Sequence, residues 1–300
     1  MKTRLFLIPI VSILVSVVLL TGCGWLVTTR DAGSMTTRQY DFTDFNTVKV
    51  GSAFRVNITP SDTYSIEITS NESSFKYINV TQKGNVLEIG LEGLHFFVGS
   101  RTLEARITMP ALVGLDVSGA TRASVTGFRS NDDFDARVSG ASTLTLDMEI
   151  GRLTGAVSGA SDVSGNIKST SADVELSGAS DWALDMATGD FACQLSGASS
   201  ARGTLKASST AVKLAGASDI QITGSGGNLV LSASGASDAR LKGFTVGAAD
   251  VDLSGGSHAD VDVDGELSVS LSGASELIYG GNAMLGSRMD ITGGSRMEHR

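Results

Sequence analysis

The chain of 300 residues carries a formal net charge of −9, with 41% apolar, 18% charged and only 6% aromatic residues. That balance supplies a core and excludes a nucleic-acid partner, because phosphate binding requires clustered Lys and Arg and no basic patch stands out along the chain. Thirty-six glycines against three prolines point to many tight turns.

Residues 1–22 read as an export signal. Lys2 and Arg4 precede a nearly uninterrupted apolar run from Leu5 to Leu20. The run is short for a membrane-spanning helix and typical of a secretory signal. It ends in Leu20-Thr21-Gly22-Cys23, which resembles the lipobox of bacterial lipoproteins. That resemblance implies lipidation of the Cys23 sulfur, cleavage just before it, and a membrane partner reached through the lipid anchor. Gly24 in place of Asp points to the outer membrane of a Gram-negative envelope. Residues 23–37 then form a tether of low periodicity. Cys193 is the only other cysteine, so no disulfide framework supports the fold.

Residues 38–113 form a strand-rich N-terminal part. Val48 and Val50, Val56 and Ile58, Ile66 and Ile68, and Val86, Leu87 and Ile89 mark short strands. Turns at Pro60-Ser61-Asp62 and Lys83-Gly84-Asn85 separate them. The apolar stretch Leu94-His95-Phe96-Phe97-Val98 is either an exposed contact surface or, by preference, a loop capping the first coil, since open solenoid ends need cover.

Residues 114–300 are repetitive. The unit Ser-Gly-Ala-Ser, or a close variant, places glycine at Gly119, Gly140, Gly159, Gly178, Gly197, Gly216, Gly235, Gly255, Gly273 and Gly293. The intervals run from 18 to 21 residues and mostly equal 19. Such a period marks a solenoid. Within a unit the apolar period is two, as in Val174, Leu176, Trp182, Leu184 and Met186, so the unit is built of strands with one face buried. The fold expected is all-β: a parallel β-helix of about ten 19-residue coils, each with two or three short strands, and the N-terminal part continuous with it. Coils then stack at about 4.8 Å and like residues form columns.

The glycines and alanines of the repeated unit sit where neighbouring turns crowd. The serines that follow (Ser142, Ser161, Ser180, Ser199, Ser218, Ser237, Ser257, Ser275 and Ser295) are expected to hydrogen-bond along the stack. A second set (Gly127, Gly165, Gly189, Gly203, Gly224, Gly243, Gly265 and Gly281) marks the far side of the coil. The last coil ends in Arg296, Glu298, His299 and Arg300, a polar finish suited to a C-terminal cap.

The column after the serines is the best candidate for a site: Asp162, Asp181, Ser200, Asp219, Asp238, His258 and Glu276. Stacked carboxylates repel, which a cation would relieve, while a solvated acidic stripe explains the same residues more simply. The three histidines, His95, His258 and His299, form no metal or nucleophile motif. Cys193 alternates with Phe191 and Leu195 and belongs inside as an inert thiol. Trp182 points inward by parity, leaving few aromatics to stack on sugar rings. With tight coils and no long insertions, no groove for catalysis and no cofactor is expected.

Phe45-Asn46-Thr47-Val48-Lys49-Val50, Phe54-Arg55-Val56-Asn57-Ile58, Ile107-Thr108-Met109-Pro110-Ala111-Leu112 and the serial SGAS units, in that order, resemble the bacterial auto-transporter adhesins of the head GIN domain family. The likeness implies a right-handed parallel β-helix on an exported lipoprotein, with an adhesin or cell-surface role. It carries no catalytic or binding residues. The expectation is a non-enzymatic, lipid-anchored envelope module that binds by many weak contacts along a rigid ladder. The alternatives are a glycan-binding or glycan-degrading β-helix and an accessory module that binds another envelope protein.

Overall fold

The computed structural model describes residues 34–93 and 102–300; the signal and lipidation readings and the stretch from Leu94 to Val98 lie outside them. The N-terminal part contributes β1 (Met35–Gln39), β2 (Thr47–Val50), β3 (Arg55–Pro60), β4 (Ser65–Asn71), β5 (Ile78–Lys83), β6 (Val86–Leu91) and β7 (Leu103–Met109). The repeats begin with β8 (Gly114–Val117), β9 (Arg122–Arg129), β10 (Phe134–Val138), β11 (Thr143–Glu149) and β12 (Arg152–Val157). They continue with β13 (Asp162–Lys168), β14 (Ser171–Leu176), β15 (Asp181–Ala187), β16 (Asp190–Leu195), β17 (Ser200–Leu214), β18 (Asp219–Ala233) and β19 (Asp238–Leu253). The last are β20 (His258–Val263), β21 (Glu266–Leu271), β22 (Glu276–Gly280), β23 (Met284–Ile291) and β24 (Arg296–His299). One 3₁₀ turn at Glu72–Ser74 is the only helical element among the described residues.

Each coil has two faces, built by two strands in most coils and by one long strand that runs through both in β17, β18 and β19. The first-face strand starts just after the repeated serine, and the second-face strand returns to the next repeated turn. On the first face β9, β11, β13, β15, β17, β18, β19, β20, β22 and β24 stack in parallel, each residue opposite its equivalent one coil away. The second face is built the same way from β8, β10, β12, β14 and β16 onward. The 19-residue period is therefore one turn of a parallel β-solenoid, as its spacing predicts.

Alternation decides what is inside. Val174, Leu176, Trp182, Leu184 and Met186 are all buried, while Asp173, Glu175 and Asp185 between them are exposed. Burying each such side chain stabilises the fold by about 1.5–3 kcal/mol, and stacking repeats that gain along the whole rod. Fit is specific: the Gly155 position is small because the indole of Trp182 occupies its space, and a Cβ there would sit 3.1 Å from the ring.

The repeated unit makes the turn between the two faces. Gly178 and Ala179 bulge outward and Ser180 returns inside at 0% exposure. The glycine adopts φ +78 and its missing Cβ would lie 2.5 Å from the Gly159 carbonyl oxygen of the coil below. That oxygen accepts the Ala179 amide at 2.8 Å, so the turns are hydrogen-bonded to one another. The serines bond along the stack in part and close their own turns as well. Their hydroxyls donate chiefly within their own coil, to the carbonyl three residues back: Ser180 to Ser177 at 2.8 Å, Ser237 to Ser234 at 2.8 Å, Ser275 to Ser272 at 3.0 Å. The contacts along the stack are longer: Ser199, Ser257 and Ser275 also reach a carbonyl of the neighbouring coil at 3.4, 3.2 and 3.4 Å, and Ser275 and Ser295 form a hydroxyl pair at 3.3 Å.

The second glycines shift in position from coil to coil, and not all of them mark the far corner. Gly127 sits in a bulge within β9, Gly165 and Gly203 lie inside strands on either side of Leu184, and Gly189 and Gly265 occupy the corner opposite the repeated turn.

The N-terminal part adds two further coils, in an order the chain does not follow. β2 pairs with β8 and β3 with β9, so residues 47–60 form the coil next to the repeats. β6 and β7 then stack beyond β2 and β3. Gly51-Ser52-Ala53 supplies the turn at this level, with Ser52 and Ala53 at φ +65 and +63 and the Ala53 amide bonded to the Gly119 carbonyl at 2.8 Å. Antiparallel strands close this end: β1 on β4, β4 on β7, and β5 on β6. β1 begins at Met35, so the last residues expected in the tether are strand. At the other end the polar finish does not act as a cover. β23 and β24 have no strand on their outer side among the described residues, and Met284, Leu285 and Ile291 are exposed there.

Candidate functional site

The first face presents the candidate column as a true file. Arg55, Arg122, Thr143, Asp162, Asp181, Ser200, Asp219, Asp238, His258, Glu276 and Arg296 lie in register on successive coils. The file thus carries two adjacent arginines toward its N-terminal end, beyond which Glu104 lies in register, an acidic middle, and Arg296 at the other end. A second file two residues further along each strand carries Ser124, Thr145, Ser164, Ala183, Arg202, Gln221, Arg240 and Asp260.

Arginines of the second file neutralise much of the acidic stretch. Arg240 contacts Asp219 at 2.9 Å and Asp238 at 2.5 Å, and Arg202 reaches Asp181 at 3.8 Å. Arg296 pairs with Glu276 at 2.5 Å, where the His258 ring also approaches to 3.4 Å. Partial burial raises the Asp219 carboxyl above its ordinary value, opposed by Arg240 and reinforced by Asp238. Asp238 Oδ1 is buried without a hydrogen-bond partner, while Oδ2 takes the arginine. Asp162 stands apart, with no ion pair among the described residues. No group of three or more His, Cys, Asp or Glu side chains converges as a metal site among them. Exposed pairs of this kind contribute roughly 0–1 kcal/mol each; the arginines organise the stripe more than they stabilise the fold.

Among the described residues, three shallow concavities on this face and its corner stand out. One of about 470 Å³ lies over Asp185, Arg202, Thr204, Gln221 and Thr223. Another, about 400 Å³, surrounds Glu149 where Arg129 and Lys168 converge; hydrogen bonding to Lys168 and the two cations hold that carboxyl below its ordinary range. The third, about 330 Å³, lies at the basic end over Arg55, Asn57, Arg106, Arg122, Ser124 and Thr145. Sequence reading sees no basic patch because Arg55 precedes Arg106 by 51 positions and Arg122 by 67, and the three meet only through stacking. The signal that could find them is the alignment of Gly51-Ser52-Ala53-Phe54 on Ser118-Gly119-Ala120-Thr121, which puts Arg55 on Arg122.

The remaining candidates are structural. Cys193 is buried at 2% exposure, and burial, with the Asp173 carboxylate adding to it, pushes its thiol up to about 12. Such a thiol is neither nucleophile nor ligand. Trp182 fills the core at 5% exposure and borders a small apolar cavity of about 20 Å³ with Phe191, Cys193 and Leu205. His299 packs on Tyr279 with ring centres 4.9 Å apart. No described helix is long and apolar enough to cross a membrane.

Comparison with known proteins agrees with this geometry. No curated protein matches the chain. Among solved structures, a "putative adhesin" from Parabacteroides distasonis ATCC 8503 superposes with a TM-score of 0.51 at 18% identity, covering 89% of this chain and 98% of that one. Another "putative adhesin", from Parabacteroides merdae ATCC 43184, gives 0.50 at 19% identity over 89% and 97%. At these identities the likeness shows the fold. The sequence pattern of one family matches residues 44–202 and again 172–283, an overlap expected when similar coils align in more than one register. The chain belongs to the family described as "Putative auto-transporter adhesin, head GIN domain".

Proposed function

We propose that the protein is a non-enzymatic, lipid-anchored adhesin-like module of the cell envelope, held to the outer membrane through Cys23. The observation that carries this reading is the first face itself: a rigid array of exposed polar and charged side chains in register over ten coils and more. Its interior is packed and its concavities are shallow and open. Such a surface suits many weak contacts whose avidity multiplies along the rod. A glycan or another envelope protein is the ligand such a surface would take.

The test has two parts. A labelled antibody against the repeats should reach the protein on intact cells, and deleting the gene should reduce attachment to a glycan-coated surface. Changing Cys23→Ser should move the protein from the membrane to the soluble fraction. Release of reducing sugars from a polysaccharide by the purified chain would sink the non-enzymatic reading. Unchanged attachment with an inaccessible epitope would sink the adhesive one.

A further inference from the structure

The basic end of the first face differs from the rest in one respect. Arg202, Arg240, Arg296 and Arg300 are all engaged with carboxylates. Arg55, Arg106 and Arg122 are exposed and line one groove, yet none has an ion pair within 4.0 Å among the described residues. Arg55 and Arg122 are direct register partners, so two like charges sit one coil apart, about 4.8 Å between backbones. Like charges directly opposite one another in a sheet are destabilising. Arg106 lies opposite Asn57 on the outer coil. Two coil spacings and one two-residue step place the backbones of the three arginines within about 12 Å of one another. Glu104, the groove's one carboxylate, is in register with Arg55 but makes no pair; Glu67, opposite Arg106 on β4, takes Gln39 instead at 3.3 Å.

We infer that this groove binds a linear acidic polysaccharide, its carboxylate or sulfate groups lying on Arg55, Arg106 and Arg122. Guanidinium groups take both anions through paired N–H donors, and their aliphatic stems offer apolar surface to a sugar ring. Asn57, Ser124, Thr143 and Thr145 supply donors and acceptors at the spacing of the coils for sugar hydroxyls. The residues lining the groove come from four successive coils, which suits an extended chain lying along the rod. An anionic lipid fits less well: among the described residues, the exposed large apolar ones, Met35, Val230, Met284, Leu285 and Ile291, do not line the groove. The inference rests on the reading of the protein as an envelope binding module and names the ligand class for one part of its surface.

The experiment titrates the purified full chain with polygalacturonate, dextran sulfate, neutral dextran and phosphatidylglycerol vesicles at low and physiological salt. One or both acidic polymers should bind, neutral dextran should not, and the first two arms separate carboxylate from sulfate. Arg55→Gln with Arg122→Gln should weaken binding about tenfold or more and flatten its salt dependence, while leaving the melting temperature equal or slightly higher. Glu104→Gln should strengthen binding, and Lys213→Gln on the second face should change nothing. Equal affinity for neutral dextran, binding to the vesicles alone, or full affinity in the double variant would overturn the inference. If neither acidic polymer binds while deletion of the gene still reduces cell attachment, the groove assignment falls and the adhesive reading stands.

Discussion

Replacing single turn glycines by alanine separates backbone strain from crowding between coils. Gly140 and Gly197 occupy equivalent exposed turns with φ +80 and +76. An alanine held in the left-handed region costs about 1–2 kcal/mol at either site. They differ in what the new methyl group meets. At Gly140 the nearest atom is the Gly119 amide nitrogen at 3.1 Å, whereas at Gly197 it is the Gly178 carbonyl oxygen at 2.6 Å. That oxygen already accepts the Ala198 amide at 2.8 Å, so relieving the clash stretches a bond between coils. Overpacking of this order adds about 1–3 kcal/mol. Gly140→Ala should therefore cost about 1–2 kcal/mol and Gly197→Ala about 2–5 kcal/mol, with no burial change to confuse the comparison. Equilibrium urea unfolding followed by far-ultraviolet circular dichroism gives both values. Equal costs within experimental error would refute the claim that contact between stacked turns, beyond φ alone, requires glycine.

Three other outcomes follow from the geometry. Because Ser218 and Ser237 each close their own turn, Ser218→Ala and Ser237→Ala should each cost about 1 kcal/mol and the double variant should be additive; a strong deviation would mean that the hydroxyls do couple along the stack. Gly155→Ala should destabilise the fold by pressing on Trp182, and Trp182→Phe should relieve much of that cost; a thermal melt showing no rescue would place the strain elsewhere. Arg240→Gln leaves Asp219 and Asp238 adjacent and unneutralised, so the Asp219 carboxyl, already raised, climbs further above its unfolded value. The folded state then binds more protons in that window, so the variant's stability falls as pH rises through it. A deficit of about 1 kcal/mol at pH 8 should shrink near pH 4, and a deficit that grows on acidification would contradict the assignment.

The repeats were readable because one chemical demand recurs at one spacing. Gly159, Gly178 and Gly197 face the same carbonyl on the coil below, and that constraint is local to the turn. The alternation of Val174, Leu176 and Trp182 likewise follows from burial of a single face. What the chain conceals is order in space. β6 and β7 stack outside β2 and β3, a placement set by which strand edges pair rather than by any local pattern. The turn at Gly51-Ser52-Ala53 escaped notice because it lacks the closing serine, Phe54 filling that buried position instead. With it went the register that joins Arg55 to Arg122. The acidic stripe was legible as a file of residues, but its arginine partners were not, since Arg240 sits two residues beyond Asp238 and one coil from Asp219.

Both the stacking order and the basic groove depend on Arg55 and Arg122 being neighbours across coils. Arg55→Cys with Arg122→Cys, in a Cys23→Ser chain whose remaining Cys193 is buried, tests this by mild oxidation and titration of free thiols on the folded protein. In-register backbones about 4.8 Å apart lie within disulfide reach, so the pair should close. Arg55→Cys with Thr143→Cys, one coil further on, should stay reduced. Faster closure of the second pair, or of neither, would show that the coil of residues 47–60 does not sit against the first repeat.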